Sequence, residues 1–252
     1  MKIIVSVKQV PARDSSLRVN AAENGLDVSD LSFEMNEPDA YALEEALQLR
    51  EKLGGEVVVL CAGPASAGQT IREALAKGAD RAIHVQTDGE AMTDALATAS
   101  LLAQAIQPEA PDYVLTGLQS DDLGYGQTGV VLAELLGFAH ATIVMEVEPL
   151  DGQVRVKREL EDGWFQHVTL PLPAVLTIQS GIKKLRYATL MGIKKAKTKV
   201  VRVIPAAAAG SAARVDRVYA PARSKKSQIF TGDARQAAKE LVEKLRFEAR
   251  VL

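Results

Sequence analysis

Short apolar runs alternate with helical patterns through the first half of this chain, and that rhythm leaves few folds open. Residues 2–7 (KIIVSV), 56–63 (EVVVLCAG), 81–87 (RAIHVQT) and 112–117 (DYVLTG) are β-rich runs of the kind that strands buried on both faces require. The segments between them read as helices. In EPDAYALEEALQLREKL, Ala40, Leu43, Ala46, Leu47 and Leu53 recur at helical spacing, and Glu44, Glu45, Arg50 and Glu51 fall largely on the other side. Asn36 stands where a cap is needed, and Gly54-Gly55 closes the helix. Ser66 opens a second helix that stops at Gly78. Residues 91–106 form an Ala/Leu-rich third, and GQTGVVLAELLG forms a fourth. The order β-α-β-α-β-α-β-α predicts an α/β fold, an open parallel sheet with helices on both faces.

The rhythm changes near His140. ATIVMEVEPLDGQVRVKREL is two strand-like runs joined at Asp151-Gly152, a hairpin signal, and FQHVTLPLPAVLTIQ adds extended chain. Extra antiparallel strands on the parallel sheet are expected there. From about Val203 the sequence turns rich in Ala, Pro, Ser and basic residues without core periodicity, which reads as an extended arm. A last helix runs from Asp233 to about Phe247, with Ala237, Leu241 and Leu245 beside Ala238 and Val242 on one face. The expected organisation is an α/β domain over 1–202 and a C-terminal arm and helix over 203–252.

Composition narrows the function classes. With 252 residues, 47% hydrophobic, the chain has material for a full core, and a net charge of −2 gives no basic signature for nucleic acid. Cys61 stands alone, which excludes an internal disulfide and a Cys-rich zinc site. Lys8 interrupts the first apolar run where a signal peptide would continue, and no run approaches the ~20 apolar residues of a membrane span. A cytoplasmic protein is expected.

The segment from Gly124 to Gly129, GYGQTG, matches G-x-G-x-x-G. A dinucleotide fingerprint follows its strand directly; here the strand ends at Gly117, and Asp121 and Asp122 lie between. The match therefore argues poorly for a nicotinamide site, and no Gly-Lys-Ser/Thr is present for a P-loop. The physics of the loop survives the motif. Glycines feeding a helix start leave backbone N–H groups and a positive dipole end for an anion. A surface loop with glycines for its turns is the competing reading. Ser6 and Ala62 end other strands and EMNEPD precedes the first helix, so these segments are expected to line one crevice, where open α/β sheets bind ligands. His84, His140 and His167 are scattered, and no hydrolase or zinc-protease motif occurs. Asp121-Asp122 reads as an acid pair, a metal site or, more commonly, a solvated turn.

Taken in order, EMNEPDAYALEEALQLREK, CAGPASAGQTIREALAKGADRAIHV, TGLQSDDLGYGQTG, LPAVLTIQ and LRYATLMGIKKAKTK resemble the beta subunit of electron-transfer flavoproteins, from residue 1 to about 199. The resemblance implies a fold of the adenine-nucleotide alpha-hydrolase-like type and an electron carrier without catalytic residues. It implies an alpha-subunit partner holding most of a shared FAD, and an AMP buried in this chain. The AMP would meet Ser6, Asn36, Glu37, Pro38, Asp39, Ala62, Gly117, Leu118, Gln119, Ser120, Asp121, Asp122, Leu123, Gly124, Tyr125, Gly126, Gln127 and Thr128. It also implies a recognition loop, about 181–199, that docks on dehydrogenases such as acyl-CoA dehydrogenases through Arg186, Tyr187, Leu190, Lys194 and Lys195. Electrons would pass on to a membrane quinone oxidoreductase. Two departures stand out: GLQ replaces the Gly-Lys-Gln of many relatives, and IKKLRY replaces Asn-Glu-Pro before Arg-Tyr. The alternatives are a bifurcating-type subunit with a second FAD and a stand-alone nucleotide-binding α/β protein.

Overall fold

The computed structural model describes residues 1–87, 94–207, 211, 213, 215–222 and 227–252. They fall into two compact units, Met1–Val218 and Tyr219–Leu252.

The first unit is built on a nine-stranded sheet. In chain order its elements are β1 (Lys2–Ser6), β2 (Gln9–Pro11), β3 (Phe33–Met35), α1 (Glu37–Leu53), β4 (Glu56–Gly63), α2 (Gly68–Lys77), β5 (Arg81–Gln86), α3 (Ala95–Ile106), β6 (Tyr113–Gly117), α4 (Thr128–Leu136), β7 (Ala139–Leu150), β8 (Gln153–Glu159), β9 (Phe165–Pro171), β10 (Ala174–Ile178), α5 (Leu190–Ala196) and β11 (Val201–Pro205). Strand order is β11-β5-β4-β1-β6-β10-β7-β8-β9, and β2 and β3 form a separate antiparallel pair. The α/β fold expected from the sequence is present.

Alternation along the central strands explains the two layers. Ile3 and Val5 of β1, with Val57 and Val59 of β4, pack among Leu43, Leu47, Ile71 and Leu75 of α1 and α2. Ile4, Val58 and Leu60 point the other way, among Leu102, Ile106 and Leu132 of α3 and α4. A strand that buries both sets of side chains must be apolar throughout, hence the unbroken runs.

The extra antiparallel strands expected after His140 are present as the β7-β8-β9 meander, and β10 pairs parallel to both β6 and β7. The strand after Pro173 returns beside β6, and so continues the parallel sheet. The change to arm-like sequence at about Val203 falls inside β11, which pairs parallel to β5 from Val201↔Ala82 to Pro205↔Gln86. Val203 is exposed at that sheet edge, so the run lacks the apolar signature of the central strands. The third helix begins at Ala95, and its expected start at residue 91 lies outside the described residues.

The second unit contains α6 (Ala234–Phe247), capped by Asp233, whose side chain accepts from the Gln236 N–H at 2.9 Å. None of its residues is buried, and Leu241 and Val242 are exposed. No helix among the described residues is long and apolar enough to cross a membrane.

Candidate functional site

The sheet reverses its winding between β1 and β6. From β1 the chain proceeds to β4 and β5 on one side, then crosses to β6 on the other. At the carboxyl ends of these strands the following segments diverge, and a crevice lies there with about 770 Å³ of empty space, the open solvent at its mouth included.

Its walls gather most of the residues expected from the sequence. Ser6 ends β1, Ala62 lies at the end of β4, and Asn36 and Asp39 come from the start of α1. Gly117, Leu118, Gln119, Ser120, Leu123, Tyr125, Gly126, Gln127 and Thr128 complete one side. Glu37, Pro38, Asp121, Asp122 and Gly124 do not line it. Pro38 is buried against Gly117; a Cβ on that glycine would lie 2.6 Å from the Pro38 Cβ. Glu37 is turned to Arg13. Gly124 makes a turn at φ +65°, with its N–H donating to the Ser120 carbonyl at 2.8 Å.

The two aspartates between β6 and the glycines are neutralised. The Lys8 ammonium donates to Asp122 Oδ1 at 2.6 Å and to the Ser120 hydroxyl at 3.3 Å. Arg13 reaches Asp121 Oδ2 at 3.4 Å. Burial would raise the Asp122 carboxyl, but Lys8 and Ser120 outweigh it and hold it below its ordinary range. Lys8 also lines the crevice, and sequence reasoning used it only as a break in the first apolar run.

Asn36 occupies the N-cap position of α1 but makes no side-chain capping hydrogen bond. Its side chain is spent on the glycine loop. Nδ2 donates to the Gln119 carbonyl at 2.9 Å, and Oδ1 accepts from the Asp121 N–H at 2.9 Å. Three residues on, Asp39 joins the crevice walls. It accepts from the Lys8 N–H at 2.8 Å and the Gly117 N–H at 2.9 Å. Burial pushes its carboxyl up to about 7, against the opposing pull of those two amides.

The remaining wall was missed. Asp94, Ala95, Thr98 and Leu102 line it from the start of α3, and Val7 and Thr116 contribute from the strand ends. Asp94 as an N-cap was the available signal: its carboxylate accepts from the Leu96 N–H at 2.8 Å.

Gly126 has φ +62°, and a Cβ there would meet nothing closer than the Leu118 carbonyl at 3.8 Å, so this glycine serves backbone conformation. Gly129 serves packing: a Cβ would overlap Thr177 and come within 2.9 Å of Thr116 Oγ1. Between them α4 begins at Thr128, and its N-cap Gln127 makes no side-chain capping bond. First-turn N–H groups there face the crevice rim without a side-chain acceptor, a ready anion site. Val7, Leu102 and Leu123 give apolar surface beside it. An anionic headgroup joined to a flat apolar base suits such walls, so the residues present fit an adenine nucleotide.

Outside the crevice, the segment expected to dock partners is outward-facing. Tyr187 is 92% and Leu190 87% exposed, and Lys194 and Lys195 are exposed beside them. Arg186 differs. Its guanidinium is engaged by Glu44 (2.8 and 3.0 Å) and Glu51 (2.6 and 3.2 Å) on α1. Glu44 and Glu45, assigned to the polar face of α1, are correspondingly 4% and 2% exposed, because residues 183–186 cover that face. Of the histidines, His84 is buried with Nε2 3.0 Å from the Gly63 carbonyl, while His140 and His167 are exposed. No cluster able to hold a metal ion occurs among the described residues.

A family model described as "Electron transfer flavoprotein domain" matches residues 25–209. The chain belongs to the electron transfer flavoprotein family. Three of its relatives in that family are beta subunits. The electron transfer flavoprotein subunit beta of Methylophilus methylotrophus is 40% identical over 255 residues, 95% of this chain and 96% of that protein. The mitochondrial subunit beta of Oryza sativa subsp. japonica is 36% identical over the whole of both chains. That of Sus scrofa is 38% identical over 82% of each.

Proposed function

We propose that this chain is the beta subunit of a heterodimeric electron-transfer flavoprotein, that its crevice holds a structural AMP, and that it helps an alpha subunit hold FAD. The observation that carries the AMP reading is the union of an uncapped helix start with a glycine loop whose own carboxylates are already neutralised by Lys8 and Arg13. A phosphate can approach Gly126, Gln127 and Thr128 there without meeting an unpaired negative charge. FAD supplies the redox chemistry when bound, and this chain's residues orient and enclose. Tyr187, Leu190, Lys194 and Lys195 form the docking face for dehydrogenases such as acyl-CoA dehydrogenases: an apolar anchor fills a pocket and the lysines speed encounter. A membrane quinone oxidoreductase receives the electrons, and the complex works in the cytoplasm. The C-terminal arm and α6 pack on the alpha subunit, which covers the exposed Leu241 and Val242.

Co-expression with an alpha subunit, followed by mass spectrometry of acid-released ligands, tests this. One FAD and one AMP per heterodimer is the expected result. Two FAD and no AMP would establish the bifurcating type, and a stable homodimer reducing NAD would overturn the assignment.

A further inference from the structure

The docking face is carried by a helix of only seven residues, α5, yet that helix is fastened at several points to the body of the unit. Thr189 caps it, accepting from the Gly192 N–H at 3.0 Å. Gly192 lies so close to α2 that a Cβ would overlap the Ala76 carbonyl oxygen. One turn on, Ala196 is buried, 3% exposed. The Arg72 guanidinium, from α2, donates to the carbonyls of Ala196 at 2.6 Å and Lys199 at 3.0 Å. Lys199 returns the grip: its ammonium donates to the Leu75 carbonyl at 3.0 Å, with Gly78 and Ala79 also in reach, at the C-terminal end of α2. That end of a helix presents unsatisfied carbonyls and negative dipole, so a lysine there is favoured twice. On the other flank Arg186 is held by Glu44 and Glu51.

An isolated helix of this length is not stable in water, so its order comes from these attachments. What they hold outward is apolar: Leu190 at 87% and Met191 at 62% exposure. An apolar knob that stands ready-made loses less conformational freedom on binding than one that must fold against its partner.

We infer that Gly192 and Lys199, with Arg72, are positioning residues for docking: they fix α5 on α2 so that Leu190 and Met191 meet an apolar pocket on a dehydrogenase as a preformed knob. This rests on the docking reading above. It differs in placing function on residues that never touch the partner.

The test uses the heterodimer with its flavin, and an acyl-CoA dehydrogenase reduced by its acyl-CoA as electron donor. Leu190→Ala reports the anchor; Gly192→Ala and Lys199→Met report the seat; Lys199→Arg is the conservative control. Positioning predicts that Gly192→Ala and Lys199→Met raise KM for the flavoprotein about tenfold, toward the Leu190→Ala value, with FAD content unchanged. Amide exchange over residues 190–196 should quicken in both, and Lys199→Arg should restore most of the affinity. If Leu190→Ala raises KM and both seat variants leave it unchanged, the positioning role is wrong and the docking face stands. If none of the three raises KM, the docking reading itself falls. If the seat variants instead weaken assembly with the alpha subunit, the face belongs to that interface and the inference is overturned.

Discussion

Two nearly buried carboxylates stand at opposite ends of the same sheet, and they are treated in opposite ways. At the amino end Glu109, 8% exposed, receives Arg81 at 2.6 Å and Arg202 at 2.8 Å, with Lys2 at 3.5 Å. The Arg81 hydrogen bond leads in holding its carboxyl below the usual range. At the carboxyl end Asp39, 6% exposed, has two backbone N–H groups, the Asn36 side chain and the more distant charge of Lys8. Burial wins there, and the group is pushed up to about 7. One end is a closed ionic clamp across β1, β5, β11 and the segment before β6. The other spends its polar groups on keeping a crevice open. On the function proposed above, stability and binding are separated along the strand axis.

The largest expected consequence concerns pH. Asp39 binds its proton more tightly when folded than when unfolded, so between about 4 and 7 the folded state holds the extra proton. Its contribution to stability is full below the unfolded value near 3.8 and is lost as pH rises through about 7, a swing on the order of a few kcal/mol. Glu109 has the reverse sign: its contribution is present above the ordinary carboxylate value and fades as pH falls through the lowered folded one. Melting temperatures of the heterodimer from pH 5 to 8 should show a falling trend that flattens in Asp39→Asn. An unchanged slope in that variant would remove Asp39 from the account.

Next in size is Glu109→Ala. Its cations keep partial exposure, so the loss should be about 2 kcal/mol, below the ~3–5 of a wholly buried pair. That corresponds to a fall of several degrees in Tm. Nucleotide content should not change; a parallel loss of AMP would show that the two ends are coupled.

Smaller in stability and sharper in function is the contrast between Gly126→Val and Gly124→Val. Both glycines have φ near +60°, so each substitution costs about 1–2 kcal/mol in backbone strain. Only Gly126 lines the crevice. Loss of retained nucleotide in the first variant and not the second locates the phosphate approach. Equal losses would attribute the effect to loop strain. The smallest expected change is the stability of Leu190→Ala, within about 0.5 kcal/mol because the side chain is exposed. A fall of several degrees in Tm would mean that Leu190 supports the fold.

How much of this was legible in the sequence follows from what each residue contacts. β1, β4 and β6 announce themselves because burial on both faces demands continuous Ile, Val and Leu. β11 does not, since an edge strand alternates with solvent. The strand-end rule brought Ser6, Ala62 and Gly117 to one crevice, because it depends only on chain direction. Lys8, Asp94 and Thr98 escaped it, since their placement depends on loop paths that no periodicity encodes. Glu44 and Glu45 show the same limit from the helix side. A helical wheel sees polar residues and predicts water, while the structure supplies Arg186 and Lys183 from residues more than a hundred positions away.

The central place of β1 has a consequence for biosynthesis. The strand precedes both of its neighbours in the chain: Ile3 pairs with Val57 on one side and with Tyr113 on the other. Until residue 113 has been translated and released from the exit tunnel, β1 can pair with β4 alone, and its other hydrogen-bonding edge stays open. Such long-range pairings fold slowly and expose sticky surface meanwhile. The N-terminal half should therefore depend on trigger-type chaperones during synthesis, and truncation before β6 should yield aggregates and not a smaller folded domain.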